Sequence, residues 1–520
     1  MAEYLSPEVY IEEIPSGLKP IQGVGTSTAA FVGLAQKGPF GVAVPITNFT
    51  QFVSTFGTYI DGAFLAFAVN SFFSEGGTSC YVVRTCHYAV PAAAPPGTPK
   101  QPTAVAATRN FQNPGVGAID VLRLTAASAG AWGNDLSVSL KNVAPAGDRF
   151  LLELRYRGNV VGVFDNLTMD GSSPDYAVTR IKAESTQVVA SDLVPAASAL
   201  TPAQRRPAET TAPAFLATGD DGLTGLAAID FSGEPDLGNG LYAFDLIDSI
   251  NIVAVPESVD RGVHLKGIGY CELRKDCVYV ADSQATINTA DDVLNYKLAQ
   301  GIYSGQNSFN SKYAALYAPW IYVFDPRTGK DIKVPPSGAV AGRYAGVDST
   351  RGVHKAPAGV EDGRLLTVLD VANDLSDADQ AKLNPAGINV IRKFTGVGPV
   401  LWGARTVSAD PEWMYLNVRR FFLFVEQSVE ASTKWTVFEP NTPSLWKAIE
   451  LNISSFLRTQ WELGALVGLK EEQAFYVKCD AETNPPESVD LGRVITEVGL
   501  AVVKPAEFVI LRFSQFAAKP

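Results

Sequence analysis

Residues 23–35 read GVGTSTAAFVGLA. The second half, TAAFVGLA (28–35), is an uncharged run of small and apolar residues, the pattern of a strand buried on both faces of a parallel sheet. The first half is a turn of small residues entering it. Glycine permits backbone angles that other residues avoid, and Ser and Thr hydroxyls satisfy nearby backbone groups. Ser27 stands in that turn, where a nucleophile could also sit. The fold therefore turns on what surrounds this strand, and the function on whether the chain supplies anything to activate Ser27.

Downstream, TNFTQFVSTFG (47–57) predicts a short helix capped by Thr47 or Asn48 and stopped by Gly57. AFLAFAVNSFFSEGG (63–77) predicts an apolar helix ended by Gly76 and Gly77, and SCYVVRTC (79–86) a strand. This β-α-α-β order belongs to an α/β layer. Upstream, residues 1–20 read as an arm. Val9, Ile11 and Glu13 alternate with Tyr10, Glu12 and Ile14, the period of a strand, and Pro7, Pro15 and Pro20 bracket it. Twenty extended residues reach roughly 65 Å. Two readings fit: an edge strand of its own domain, or a strand donated to a neighbouring molecule.

Beyond residue 90 the pattern changes. AVPAAAPPGTPKQPTAV is rich in Pro and Ala and cannot fold alone. IDVLRLTAAS, NDLSVSLKNV, RFLLELRYRG and NVVGVFDNLTM then alternate in short runs between turns, which predicts a β-sandwich. A second soft segment (194–214) follows, and α/β character resumes, so the sandwich reads as an insertion. INIVAVPE (250–257), DCVYVAD (276–282), YAALYAPWIYVFD (313–325) and GINVIRKF (387–394) are nearly continuous apolar strands, with a long Gly/Pro-rich loop expected at 334–359. NTPSLWKAIELNISSFLRTQWELG (441–464) is a strong helix: Thr442 can cap it, Pro443 suits its first position, and Trp446, Ile449, Ile453, Phe456 and Leu457 share one face. Lys447 and Arg458 share the opposite, polar face. AFYVKCD (474–480), VITEVGLAVVKP (494–505) and AEFVILRFSQF (506–516) are strand-like. The expected layout is an arm at 1–20, α/β core at 21–90 and 241–405, inserted β-sandwich with its linkers at 91–240, an α+β domain at 406–505 and a second arm at 506–520.

The bulk numbers agree. A chain of 520 residues, 46% hydrophobic and 18% charged, has material for roughly three or four domains. The 45 Gly and 33 Pro signal many turns. A net charge of −12 supplies no basic footprint for nucleic acid. There is no apolar run long enough to span a membrane, and MAEYLSPEVYIEEI is not a secretory signal. Five cysteines without a CxxC argue against a disulfide framework or zinc site, and fit synthesis in a reducing cytoplasm.

Gly25-Thr26-Ser27-Thr28-Ala29 resembles the surround of the nucleophile in subtilisin-like proteases. Catalysis would need a histidine base and an aspartate behind it. The three histidines, His87, His264 and His354, stand in CHYAV, GVHLKG and GVHKAP, none of them a subtilase setting. GVGPVLWGAR (396–405) lacks the Lys-Ser/Thr of a phosphate loop and reads as a loop. Acidic residues are scattered without calcium-loop spacing. Arg84, Arg261 and Arg351 read as structural or interface charges. No catalytic residue, cofactor or metal is expected.

LSPEVYIEEIPSGLKPIQGVGTSTAAFVGLAQKGP, SKYAALYAPWIYV, VPPSGAVAGRYAGVDSTRGVHKAPAG, FTGVGPVLWGARTVS and the helix with its trailing strands together resemble the contractile tail sheath proteins of phages, R-type pyocins and extracellular or membrane-anchored injection systems. The resemblance implies a subtilisin-like α/β core without proteolysis, so that GVGTSTAA is scaffold. It implies arms that add strands to neighbouring subunits: Val9, Tyr10, Ile11, Glu12 and Ile14 at one end, Phe508, Val509, Ile510, Leu511 and Phe513 at the other. It implies a C-terminal domain facing an inner tube, with Lys447, Ser454 and Arg458 as tube contacts. The implied partners are further copies in a helical assembly of stacked hexameric rings, the inner tube, baseplate proteins and a sheath terminator or cap, with no nucleic acid and no direct membrane insertion. The implied setting is assembly in a bacterial cytoplasm into a virion or tail-like particle. Two rivals stand beside it: a serine hydrolase using Ser27, and a non-contractile tube or surface-layer subunit.

Overall fold

The computed structural model describes residues 20–512 apart from 93, 116, 144–146, 195–199, 288, 509 and 511. They form two units. The first is Ser27–Val347 with Pro357–Met414; the second holds the described residues of 20–26, 348–356 and 415 onward.

The first unit is built on eight strands: β1 (Ala29–Gly33), β2 (Ala43–Ile46), β3 (Cys80–Arg84), β4 (Ile252–Ala254), β5 (Val278–Asp282), β6 (Ala314–Ala318), β7 (Ile388–Phe394) and β8 (Gly398–Leu401). Their order is β2-β3-β1-β4-β5-β6-β7-β8. The six inner strands are parallel, and β2 and β8 run antiparallel at the edges. Every residue of β1, β5 and β6 is buried, which is why their sequences carry no polar alternation. Helix α1 (Phe49–Phe56) starts at Asn48, whose side chain accepts from the Gln51 amide, and stops at Gly57 with φ 85°. Helix α2 (Leu65–Ser74) follows.

Three sequence expectations fail here, each for a physical reason. The stretch 334–359, expected as a loop, contains helix α3 (Ser337–Arg351). Its glycines lie four apart and bring it onto the α2 backbone. A Cβ at Gly338 would sit 2.3 Å from Ala68 Cα, one at Gly342 2.4 Å from the Phe72 carbonyl, and one at Gly346 2.7 Å from that of Glu75. Glycine costs about 1 kcal/mol per position in a helix; here close packing offsets it. The run 313–325 is two strands in different sheets, β6 and Ile321–Asp325, parted around Pro319, which cannot donate to a ladder. The glycine-rich 396–405 supplies β8, paired with β7 from Phe394↔Gly398 to Ile391↔Leu401.

Between β3 and β4 the described residues make a two-stranded pair, Tyr88–Ala89 with Gln101–Pro102, and two larger antiparallel sheets. One holds Thr108–Gln112, Asp120–Ala126 and Val188–Asp192; the other holds Leu136–Asn142, Phe150–Tyr156, Asn159–Leu167 and Ala214–Phe215. They share one core in which Val121 and Leu124 join Val138, Leu152 and Leu154. Arg84, 1% exposed, ties this region to the eight-stranded sheet. Its guanidinium donates to the carbonyls of Gly38 (3.1 Å) and Ala129 (2.7 Å) and stacks 3.9 Å over the Phe40 ring.

The second unit holds helices α4 (Leu416–Thr433) and α5 (Pro443–Glu462) and the antiparallel pair β9 (Phe475–Lys478) and β10 (Glu497–Leu500). Phe421, Val425, Ile449, Ile453, Phe456, Leu457 and Phe475 form its core. The apolar face expected for α5 is the buried one. Thr442 occupies the N-cap position, but its hydroxyl bonds Ser444 Oγ (2.8 Å) rather than a backbone amide.

Candidate functional site

The C-terminal ends of the parallel strands are where an α/β sheet would hold a ligand, above all where strand order reverses. That reversal lies between β1 and β4. The crevice is filled by the chain itself. Glu257, just past β4, accepts from the backbone amides of Leu34 (3.2 Å), Phe64 (2.9 Å) and Leu65 (2.7 Å), so its carboxylate sits on the N-terminus of α2, where an anion would bind. Asp282, fully buried at the end of β5, does the same for α3, accepting from the Ser337 amide at 2.8 Å. Desolvation raises both carboxyls to about 7.

The histidines of this unit serve other partners than Ser27. His264 is sealed in the core, bonded to the Tyr279 hydroxyl and the Asp282 carbonyl at 3.0 Å each, and burial lowers it to about 4. Such an imidazole is neutral at pH 7 and encased. His87 pairs with Asp230 at 3.0 Å. Among the described residues, no cluster of His, Cys, Asp and Glu is placed to hold a metal, and no helix is long and apolar enough to cross a membrane. All five cysteines are buried free thiols.

The second unit presents a different surface. Strands β9 and β10 pair from Phe475↔Leu500 to Lys478↔Glu497, and among the described residues neither has another partner. A two-stranded ribbon is marginal alone; this one rests on α5. Past β10, Val503 donates to the Ala465 carbonyl, and then regular pairing ends. Phe508 and Ile510 stand 75% and 76% exposed. The remaining residues expected to exchange strands, Val9, Tyr10, Ile11, Glu12, Ile14, Val509, Leu511 and Phe513, lie outside the described residues.

Described segments near both chain ends, Gln22 to Thr26 and Val503, are anchored on α4, a helix absent from the sequence expectations. Asn417, 2% exposed, donates to the carbonyls of His354 (2.7 Å) and Val503 (3.0 Å). Ser428 Oγ accepts from the Val24 amide (3.1 Å) and Ser432 Oγ from that of Gln22 (3.3 Å). Arg420 makes a buried ion pair with Asp348 at 2.5 Å and donates to the Thr26 carbonyl at 3.0 Å. The available signal was the pair Arg419-Arg420 inside an apolar run, since buried arginines need partners.

Lys447, Ser454 and Arg458 do lie on one side of α5. Both cations already have partners: Lys447 holds Glu450 at 2.7 Å, and Arg458 makes a two-pronged contact with Glu471 at 2.9 Å per bond. Ser454 is half-buried. An acidic partner would have to compete with Glu450 and Glu471.

Residues 232–407 match the family described as phage tail sheath protein central domain, and residues 408–516 that described as phage tail sheath C-terminal domain. The tail sheath protein of Enterobacteria phage T4 is 25% identical over 315 residues, covering 54% of this chain and 47% of that protein. That of Vibrio phage KVP40 is 26% identical over 308 residues, covering 56% and 44%. The chain thus spans about half the length of these curated relatives. Among solved structures, the sheath of the extracellular contractile injection system PVC in its contracted state superposes with a TM-score of 0.60 at 22% identity, covering 99% of both chains. Two consecutive sheath domains, matched in order through residue 516 on a backbone of the same fold, make this chain a member of the contractile tail sheath family.

Proposed function

We propose that this chain is the repeating subunit of a contractile sheath. It polymerises helically, as stacked hexameric rings, around an inner tube, and its collapse drives the tube through a target envelope. The observation that carries this reading is the β9–β10 ribbon, two paired strands beside the root of an exposed apolar tail. A strand from another copy would complete it through backbone hydrogen bonds, each worth about 0.5–1.5 kcal/mol net. Val9–Ile14 and the stretch around Phe508–Phe513 are the segments we assign to that exchange. Head-to-tail addition of this kind does not close, so it builds a filament.

In this reading the eight-stranded unit is the subtilisin-like core, the inserted double sheet faces outward as a sandwich domain, and the second unit faces the tube through Lys447, Ser454 and Arg458. Contraction releases the difference between two packings of the same folded subunits, held apart by a kinetic barrier. Baseplate proteins start it and a terminator caps it. The carboxylates that fill the sheet's own crevices support a structural role and speak against the hydrolase alternative. The test is a chain lacking its first fourteen residues, studied by electron microscopy. Folded but unpolymerised protein is expected; cylinders that still shorten would refute strand exchange.

A further inference from the structure

The loop that leaves β1 borders a cleft of about 690 Å³, walled on the other side by the inserted sheets. Lys37, Thr55, Gln101, Ser128, Trp132 and Thr186 are among the residues lining it, and no carboxylate does. Lys37 enters half-buried, its ammonium 5.8 Å from the centroid of the Trp132 ring. It makes no ion pair among the described residues, and burial lowers its proton affinity with nothing opposing. Other sheltered cations of this unit are satisfied within the chain: Arg274 holds Asp276 at 2.7 Å and Arg327 holds Asp325 at 3.1 Å. The buried Lys297 and Arg261, which have no carboxylate partner among the described residues, donate to the carbonyls of Ala386 and Asn307; Lys37 has no such acceptor among the bonds described. A cation taken partly out of water without a counter-charge is a cost that an arriving anion removes.

The walls are already fixed. The Gly38 amide donates to Ser128 Oγ at 3.0 Å, which leaves the serine hydroxyl hydrogen to donate elsewhere. Trp132 Nε1 donates to the Ser128 carbonyl at 3.2 Å. Arg84 clamps Gly38 and Ala129 from behind. A site held this way pays little to order itself when it is filled. The chain carries 54 acidic and 42 basic residues, so a second copy is a ready source of carboxylates. The same net negative charge opposes a nucleic-acid occupant.

We propose that this cleft receives a carboxylate side chain from a neighbouring copy of this chain, with Lys37 as its ion-pair partner and the Ser128 hydroxyl as a hydrogen-bond donor beside it. The inference rests on the polymerising role proposed above. It is tested on polymers grown from a mixture of ordinary and ¹⁵N-labelled full-length chains, coupled with a water-soluble carbodiimide that joins amines to carboxylates in contact. A mixed-isotope peptide containing Lys37 is expected. Lys37→Glu should lower polymer yield at least tenfold while leaving the thermal midpoint of the unpolymerised chain unchanged, and Lys37→Arg should restore the yield. Polymers in which Lys37 couples to nothing, or only within its own chain, would overturn the proposal and leave the sheath reading intact. Failure of the unaltered chain to polymerise would overturn both. Protection of Lys37 from acetylation by inorganic phosphate in the unpolymerised chain, with no coupling in polymers, would reassign the cleft to a free anion and overturn it as well.

Discussion

The two sheets treat their edges in opposite ways. The eight-stranded sheet ends in β2 and β8, and each of these edge strands carries a proline, Pro45 and Pro399, which lacks the amide a newcomer would need. Its ligand crevices are filled by Glu257 and Asp282. The β9–β10 ribbon has neither device: FYVK and EVGL hold no proline, and their outer sides have no partner among the described residues. One chain thus holds a sheet sealed at its edges and, among the described residues, a ribbon left open, and the proposed strand exchange rests on that difference.

The sharpest way to break that contrast is to remove residues 506–520. Polymer should vanish in electron micrographs while the unfolding midpoint stays within a degree or two; retained cylinders would mean that the open ribbon is not where copies join. Next in size is the closed region. Gly342→Val drives a branched side chain into the Phe72 carbonyl and should lower stability by about 3 kcal/mol in denaturant melts, since overpacking against backbone cannot relax. A smaller effect follows from the carboxyls raised to about 7. Each contributes stability that is whole below its unfolded value near 4 and is lost as pH rises through about 7. Glu257→Gln with Asp282→Asn should therefore gain on the unaltered chain by about 1–3 kcal/mol between pH 4 and 8, and parallel curves would exclude titration at these sites. The smallest effect concerns α5, the helix assigned above to the tube. Exposed pairs such as Lys447–Glu450 are worth about 0–1 kcal/mol. Charge reversal at Lys447 and Arg458 should weaken assembly on the tube without abolishing polymer, and normal full-length particles would remove both from the contact.

The strands of the large sheet were legible because burial on both faces writes itself as unbroken apolar sequence, as in β1 and β5. Helix α3 was not. Glycine spaced by four serves a close helix crossing, yet in sequence it reads as looseness, and only the backbone of α2 supplies the reason. Pro319 hid a change of sheet inside one apolar run. In the second unit the apolar face of α5 was plain, whereas Glu450 and Glu471, which hold its two cations, were not. Asn417 and Arg420 could not be read either, because their partners lie dozens of positions away at Val503 and Asp348. Sequence discloses which side chains leave water, and leaves open whom the buried polar ones meet.

The anchoring of segments near both ends on α4 has a mechanical consequence. A tug on the segment leading to Gln22 is taken up at Ser432 and Ser428, and a tug on the segment after Val503 is taken up at Asn417, all on one eighteen-residue rod. Tension entering by one of these segments and leaving by the other would run along that rod. In the assembly proposed above, each copy would pass load to the next through a single helix.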